Sequence, residues 1–73
     1  MPVVQKHRRL LGEAVRVKRK EVGFSQEKLA EKAGLSTVFI SRIERGVESP
    51  SVDNLAKIAK ALEVQVSDLV AGF

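Results

Sequence analysis

The chain has 73 residues, a formal net charge of +4, no cysteine and one histidine. A chain this short holds one compact core, since it buries only roughly 60% of the surface its unfolded form exposes. Without cysteine, disulfides and thiolate metal sites are excluded. No apolar run approaches the roughly 20 residues that span a bilayer, and the basic N-terminus leads into no signal-peptide h-region. The expectation is a single domain over 1–73, cytoplasmic, with no membrane partner. The charge is lopsided: residues 1–45 carry 11 Lys/Arg against 5 Asp/Glu, and residues 46–73 carry 2 against 4. A basic half is what a polyanion-binding surface needs, because each neutralised phosphate releases counterions. A solvated, basic-biased helix would give the same count.

In chain order, the segment Gln5–Arg9 reads either as a basic N-terminal arm or as a solvated extension of the first helix. His7 has no companion ligands and reads as a surface residue, so no metal site is expected. Leu11, Ala14, Val15 and Val22 make an apolar stripe at helical spacing and predict a helix over about Leu10–Val22. Lys18 and Arg19 interrupt that stripe, so its middle must border solvent or a partner charge. Gly23 suits a left-handed stop.

Ser25 is a good N-cap for a second helix, with Gln26 and Glu27 in its first turn. Leu29, Ala30 and Ala33 form its buried face, and Gly34 closes it. Ser36 can cap a third helix over Thr37–Arg45, ended by Gly46. Ile40 and Ile43 point one way; Thr37, Val38, Ser41, Arg42 and Arg45 fall largely on the other sides. Two helices separated by so few residues around Gly34 cross steeply, which is helix-turn-helix geometry. Ala30 and Gly34 are small enough for a close approach at that corner.

"VESPS" reads as a loop, because Pro50 biases Ser49 away from helix. Ser51 can cap a fourth helix in which Val52, Leu55, Ile58, Ala59 and Leu62 keep an i, i+3, i+4, i+7 pattern. A short last helix over about Val66–Ala71 carries Leu69 and Val70. Strand signals are nearly absent, so the fold class is all-α. Catalysis is not expected: there is no cysteine nucleophile, one histidine, no glycine-rich phosphate loop and no paired carboxylates in a plausible cleft.

These motifs resemble the lambda-repressor/Cro-type helix-turn-helix family, also called the XRE family. The likeness rests on "LG" at Leu11–Gly12, Arg16 and Arg19, "GFSQEKLAEKAGLS" from Gly23, "IS-IERG" from Ile40, and "PS-DNLAKIAKALEV" from Pro50. It implies a five-helix bundle whose third helix enters the DNA major groove, with its N-terminal residues at the base edges. Carried over by position, the base-reading residues are Thr37, Val38, Ser41 and Arg42. Arg42 can pair with guanine O6 and N7, Thr37 and Ser41 can hydrogen-bond, and Val38 can touch a thymine methyl.

The resemblance also places a phosphate-bonding glutamine at Gln26, at a helix start. It matches Arg19 and Glu44 to a partly buried ion pair. Arg16, Lys20 and Arg45 are further phosphate candidates. Restriction-modification controller proteins, a close branch, often carry a basic residue and a tyrosine where this chain has Thr37 and Phe39, which counts against that assignment. Glu48 in the loop after Gly46 stands where some phage repressors carry cations. Family members usually dimerise, and the apolar Val66, Val70 and Phe73 are the expected interface, with Leu69 in the core. The expected function is a homodimeric repressor of a double-stranded DNA operator, with no cofactor and no small-molecule effector. An antitoxin or a restriction-modification controller would use the same mechanism, and a protein-bridging helix-turn-helix module is the alternative.

Overall fold

The structure, a computed structural model, describes the backbone of residues 3–73 and the side chains from Lys6 onward. Five helices follow one another: α1 Val3–Glu21, α2 Gln26–Ala33, α3 Thr37–Glu44, α4 Val52–Leu62 and α5 Val66–Val70. There is no strand among the described residues, and the all-α expectation holds. α1 packs on α3 and α5, α2 on α3 and α4, and α4 on α5. Val15, Leu29, Ile40, Ile43, Ile58, Leu62 and Leu69 fill the centre and are almost wholly removed from water.

The starts and stops follow from side-chain chemistry. Ser25, Ser36 and Ser51 each accept a backbone N–H from three residues on, those of Lys28, Phe39 and Asn54, at 3.0, 3.0 and 3.1 Å. Such caps satisfy donors that a helix start leaves free. α5 begins differently: Asp68 Oδ2 accepts the Gln65 N–H at 2.9 Å. Helices α1 to α4 all end in one pattern of two crossed bonds. For α1, Phe24 N–H donates to the Arg19 carbonyl and Gly23 N–H to that of Lys20. The same pair recurs at Leu35/Gly34, Val47/Gly46 and Val64/Glu63. The pattern needs a left-handed residue just past the helix. Glycine supplies it after α1 to α3, but Glu63 does so after α4, at φ 58°.

Four expectations need correction. α1 begins at Val3 instead of about Leu10, so Gln5–Arg9 lies within a helix. Of the two readings left open for that segment, the extension of the first helix is the one observed. Val22, assigned to the buried stripe, is 43% exposed, because it lies in the turn after α1, where the chain has left the core. Val52, assigned to the buried face of α4, is 80% exposed: at the first helical position its side chain projects beyond the neighbours that cover Leu55 and Ile58. Gly34 serves no close approach, since a Cβ built there meets nothing; its glycine answers only to φ +70°.

The tight approach is at Gly12 instead. A Cβ at Gly12 would collide with the Ile43 carbonyl oxygen and stand 2.8 Å from that of Glu44. Helix α1 therefore rests directly on the C-terminal backbone of α3, and the absence of a side chain sets their separation. Gly46 repeats the theme on a smaller scale: it needs φ +76°, and its Cβ position lies 3.2 Å from the Arg9 Cα.

Candidate nucleic-acid interface

Helix α3 has two faces of opposite character. Ile40 and Ile43 are fully buried. On the other side Thr37, Val38 and Arg42 are exposed and Ser41 is half-buried. Val38 is 66% exposed, on a helix whose other face anchors the core. Arg42 forms no ion pair or side-chain hydrogen bond among the described residues. The structure thus brings Thr37, Val38, Ser41 and Arg42 together on one open ridge. Arg45, just past the helix, is exposed as well.

The direction of that ridge is fixed by a polar network at the inner end of α3. Arg19 Nε donates to Glu44 Oε2 at 2.7 Å and Nη2 to Oε1 at 3.0 Å, a two-pronged guanidinium–carboxylate pair. Nη1 donates to the Phe24 carbonyl at 2.9 Å. Gln26 Nε2 donates to Glu44 Oε1 at 3.1 Å. The Arg19 side chain is 12% exposed and that of Glu44 3%. The hydrogen bonds it donates to Glu44 raise the Arg19 guanidinium above its ordinary range, with burial working the other way and the carboxylate charge reinforcing the rise. The group therefore stays charged at any working pH. Arg19 and Glu44 together tie α1, the α1–α2 turn, the start of α2 and the end of α3.

Gln26 is thus held, not free. Its inward Nε2 hydrogen is taken by Glu44, which leaves the second hydrogen and the backbone N–H groups at the start of α2 for a ligand. The cations of α1 follow from helix geometry. Gly12 and Arg19 mark the line of α1 that meets α3. At 3.6 residues per turn, Leu11 and Val15 lie on the core side of that line, and Arg16 and Lys20 on its solvent flank. Lys20 is exposed, and Arg16 stands 4.0 Å from Glu13, a loose pairing.

Arg9 belongs to the same flank and is also exposed. Sequence reasoning missed it, because the i, i+7, i+11 spacing of Arg9, Arg16 and Lys20 means something only once α1 is known to reach back to Val3. Toward the C-terminus, Val66 and Val70 are half-buried against the core. Phe73 is 52% exposed and stacks on His7, with ring centroids 4.8 Å apart. His7, expected on the open surface, is accordingly half-buried under the C-terminus. No group of three metal-ligating side chains occurs among the described residues, and no helix among them is long and apolar enough to cross a membrane.

Comparison with known proteins agrees with this geometry. The control protein C.BamHI of Bacillus amyloliquefaciens is 47% identical over 64 residues, covering 86% of this chain and 79% of that protein. The solved restriction-modification controller protein C.AhdI from Aeromonas hydrophila superposes with a TM-score of 0.83 at 34% identity, covering 85% of this chain and 94% of that one. The biofilm master regulator SinR, solved in complex with DNA, gives a TM-score of 0.78 at 40% identity, covering 81% and 95%. The chain spans 56% of the full-length SinR of Bacillus subtilis. The Helix-turn-helix family HTH_3 matches residues 15–69, the two-faced α3 and its supporting network included. The chain therefore belongs to the XRE-type helix-turn-helix family.

Proposed function

We propose that this protein is a sequence-specific, DNA-binding transcriptional regulator that acts as a homodimeric repressor at a palindromic operator. The observation that carries the reading is the two-sidedness of α3: Ile40 and Ile43 hold it in the core while Thr37, Val38, Ser41 and Arg42 stand open beside one another. An exposed valine flanked by hydroxyls and an unpaired arginine is what a mixed surface of thymine methyls and base-edge acceptors calls for. Arg42 donates two bonds to a guanine, and Val38 covers a methyl. Thr37 and Ser41 hydrogen-bond to bases or phosphates.

Around this ridge the backbone contacts position the protein and carry no sequence information. The start of α2, with the second Nε2 hydrogen of Gln26, meets one phosphate. Arg16, Lys20 and Arg45 meet others, with Arg9 added on the flank of α1. The Arg19–Glu44–Gln26 network sets the angle between phosphate anchor and reading ridge. SinR, of the same fold, has been solved with DNA, which supports this mode of action.

Two copies, joined through Val66, Val70 and Phe73, would set two α3 ridges about 34–36 Å apart on one face of the duplex. Neither cofactor nor small-molecule effector enters this mechanism, and no chemical step does; the setting is the cytoplasm. Kinship with C.BamHI and C.AhdI favours a restriction-modification controller as the specific role, although Thr37 and Phe39 depart from the residues common in that branch. The test is binding to random and to selected duplexes at two salt concentrations. A preference that survives at the higher salt and weakens in Arg42→Ala is the expected result. No preference, with Arg42→Ala unaffected, would favour a protein-bridging role.

A further inference from the structure

We propose that the groove between α2 and α4 docks an acidic, amphipathic segment of a partner protein. The groove encloses about 550 Å³ and is floored by Phe24, Ala33 and Ala61. Lys32, Lys57 and Lys60 stand around it. No residue of α3 lines it, so an occupant leaves the reading ridge free.

The distribution of charge singles this place out. Residues 46–73 are acidic on balance, yet their two cations, Lys57 and Lys60, both line this groove. Two other lysines meet a glutamate one turn on, as Lys18 meets Glu21 at 3.5 Å and Lys28 meets Glu31 at 3.2 Å, while Lys6 and Lys20 stand exposed and apart from one another on α1. Among the described residues Lys32, Lys57 and Lys60 meet no carboxylate. Even Glu63, three residues beyond Lys60 and at the same groove, is not paired with it. Lys32 Nζ rests 5.8 Å from the centre of the Phe24 ring, a cation–π contact that holds its charge beside the apolar floor.

Three unneutralised ammonium groups call for an anionic occupant. The floor decides which kind. Phe24, Ala33 and Ala61 offer an apolar surface that a phosphodiester backbone cannot use, but that an apolar side chain between carboxylates would cover. On α4, Lys57, Lys60 and Ala61 are spaced i, i+3, i+4 and so share one flank, which suits a segment lying along that helix. The complementary partner carries two or three Asp or Glu residues around a leucine- or phenylalanine-sized side chain.

The probe is a short synthetic peptide of Glu and Leu at helical spacing, titrated into ¹⁵N-labelled protein. A companion peptide has every Leu replaced by Ser at equal charge. The Glu/Leu peptide is expected to shift the amide signals of Phe24, Lys32, Lys57 and Ala61 and to leave Thr37 and Arg42 in place. The Glu/Ser peptide should bind roughly tenfold more weakly, a difference of about 1.4 kcal/mol. Lys57→Gln with Lys60→Gln should weaken the Glu/Leu peptide by roughly tenfold, and by more than it weakens binding to duplex DNA. If that pair unfolds the protein, Lys57→Gln alone gives the same comparison. Equal binding of both peptides, shifts centred on α3, or groove shifts produced by inorganic phosphate or random duplex but not by the Glu/Leu peptide would each overturn the proposal.

Discussion

Replacing Gly12 by alanine should destabilise the protein strongly, although the same change at an exposed helical position would stabilise it. In a helix interior, alanine is favoured over glycine by about 0.8–1.0 kcal/mol. At Gly12 the added methyl would collide with the Ile43 carbonyl oxygen and lie 2.8 Å from that of Glu44. Both obstacles are backbone, so no rotamer change relieves them; α1 and α3 must part. Overpacking of a core costs typically 1–3 kcal/mol, and here the separation also stretches the Arg19–Glu44 pair two turns along the same face. Backbone obstacles put the cost at the upper end of that range, so a net loss of about 2 kcal/mol remains after the helix-propensity gain. For a domain of this size that is a fall in Tm of roughly 8–16 °C, out of a total stability of about 4–11 kcal/mol. Thermal and urea unfolding followed by circular dichroism measure it. A Gly12→Ala variant as stable as the parent, or more stable, would refute the claim that a bare backbone contact sets the α1–α3 spacing.

Three further outcomes are expected. Arg19→Ala strands the Glu44 carboxylate, whose side chain is 3% exposed, and should cost about 3–5 kcal/mol; Arg19→Met combined with Glu44→Leu should recover most of it in urea unfolding, and a single-variant loss below about 1 kcal/mol would show the pair to be incidental. Glu63→Gly should raise stability by about 0.5–1 kcal/mol, since it removes the left-handed cost at φ 58° for a smaller loss of chain entropy; a lower Tm would contradict this. Sedimentation should show a dimer at micromolar concentration that Phe73→Ala weakens, and a monomer at high micromolar concentration, with DNA and without, would remove the proposed Val66, Val70 and Phe73 interface.

What could be read from the sequence, and what could not, divides along physical lines. Gly23, Gly34 and Gly46 announce helix stops because glycine is cheap in the left-handed region, and Ser25, Ser36 and Ser51 announce starts because their hydroxyls accept orphan N–H groups. The stop at Glu63 is silent, since glutamate carries no such mark and tertiary packing alone pays for its φ. The first two turns of α1 are silent too: no cap and no apolar period signals them ahead of Leu10. Val22 and Val52 obey the helical period yet face water, because periodicity names a face and not how far along it the core extends. The pairing of Arg19 with Glu44 came from family likeness, and Gln26 as its third member came only from coordinates. The collision at Gly12 depends on the distance between two helices, which no local pattern contains.

The central claim is that the outer ridge of α3 reads bases. Selection of bound sequences from a random duplex pool, run in parallel with the parent protein and Arg42→Ala, tests it most directly. The account predicts that the parent enriches a palindromic site and that Arg42→Ala enriches the same site with one position relaxed in each half, at a cost of about 1–3 kcal/mol in affinity. Gln26→Ala, in the same selection, should lower affinity evenly and leave the preferred sequence unchanged. No enriched sequence with the parent, or an identical site with identical affinity from Arg42→Ala, would contradict it.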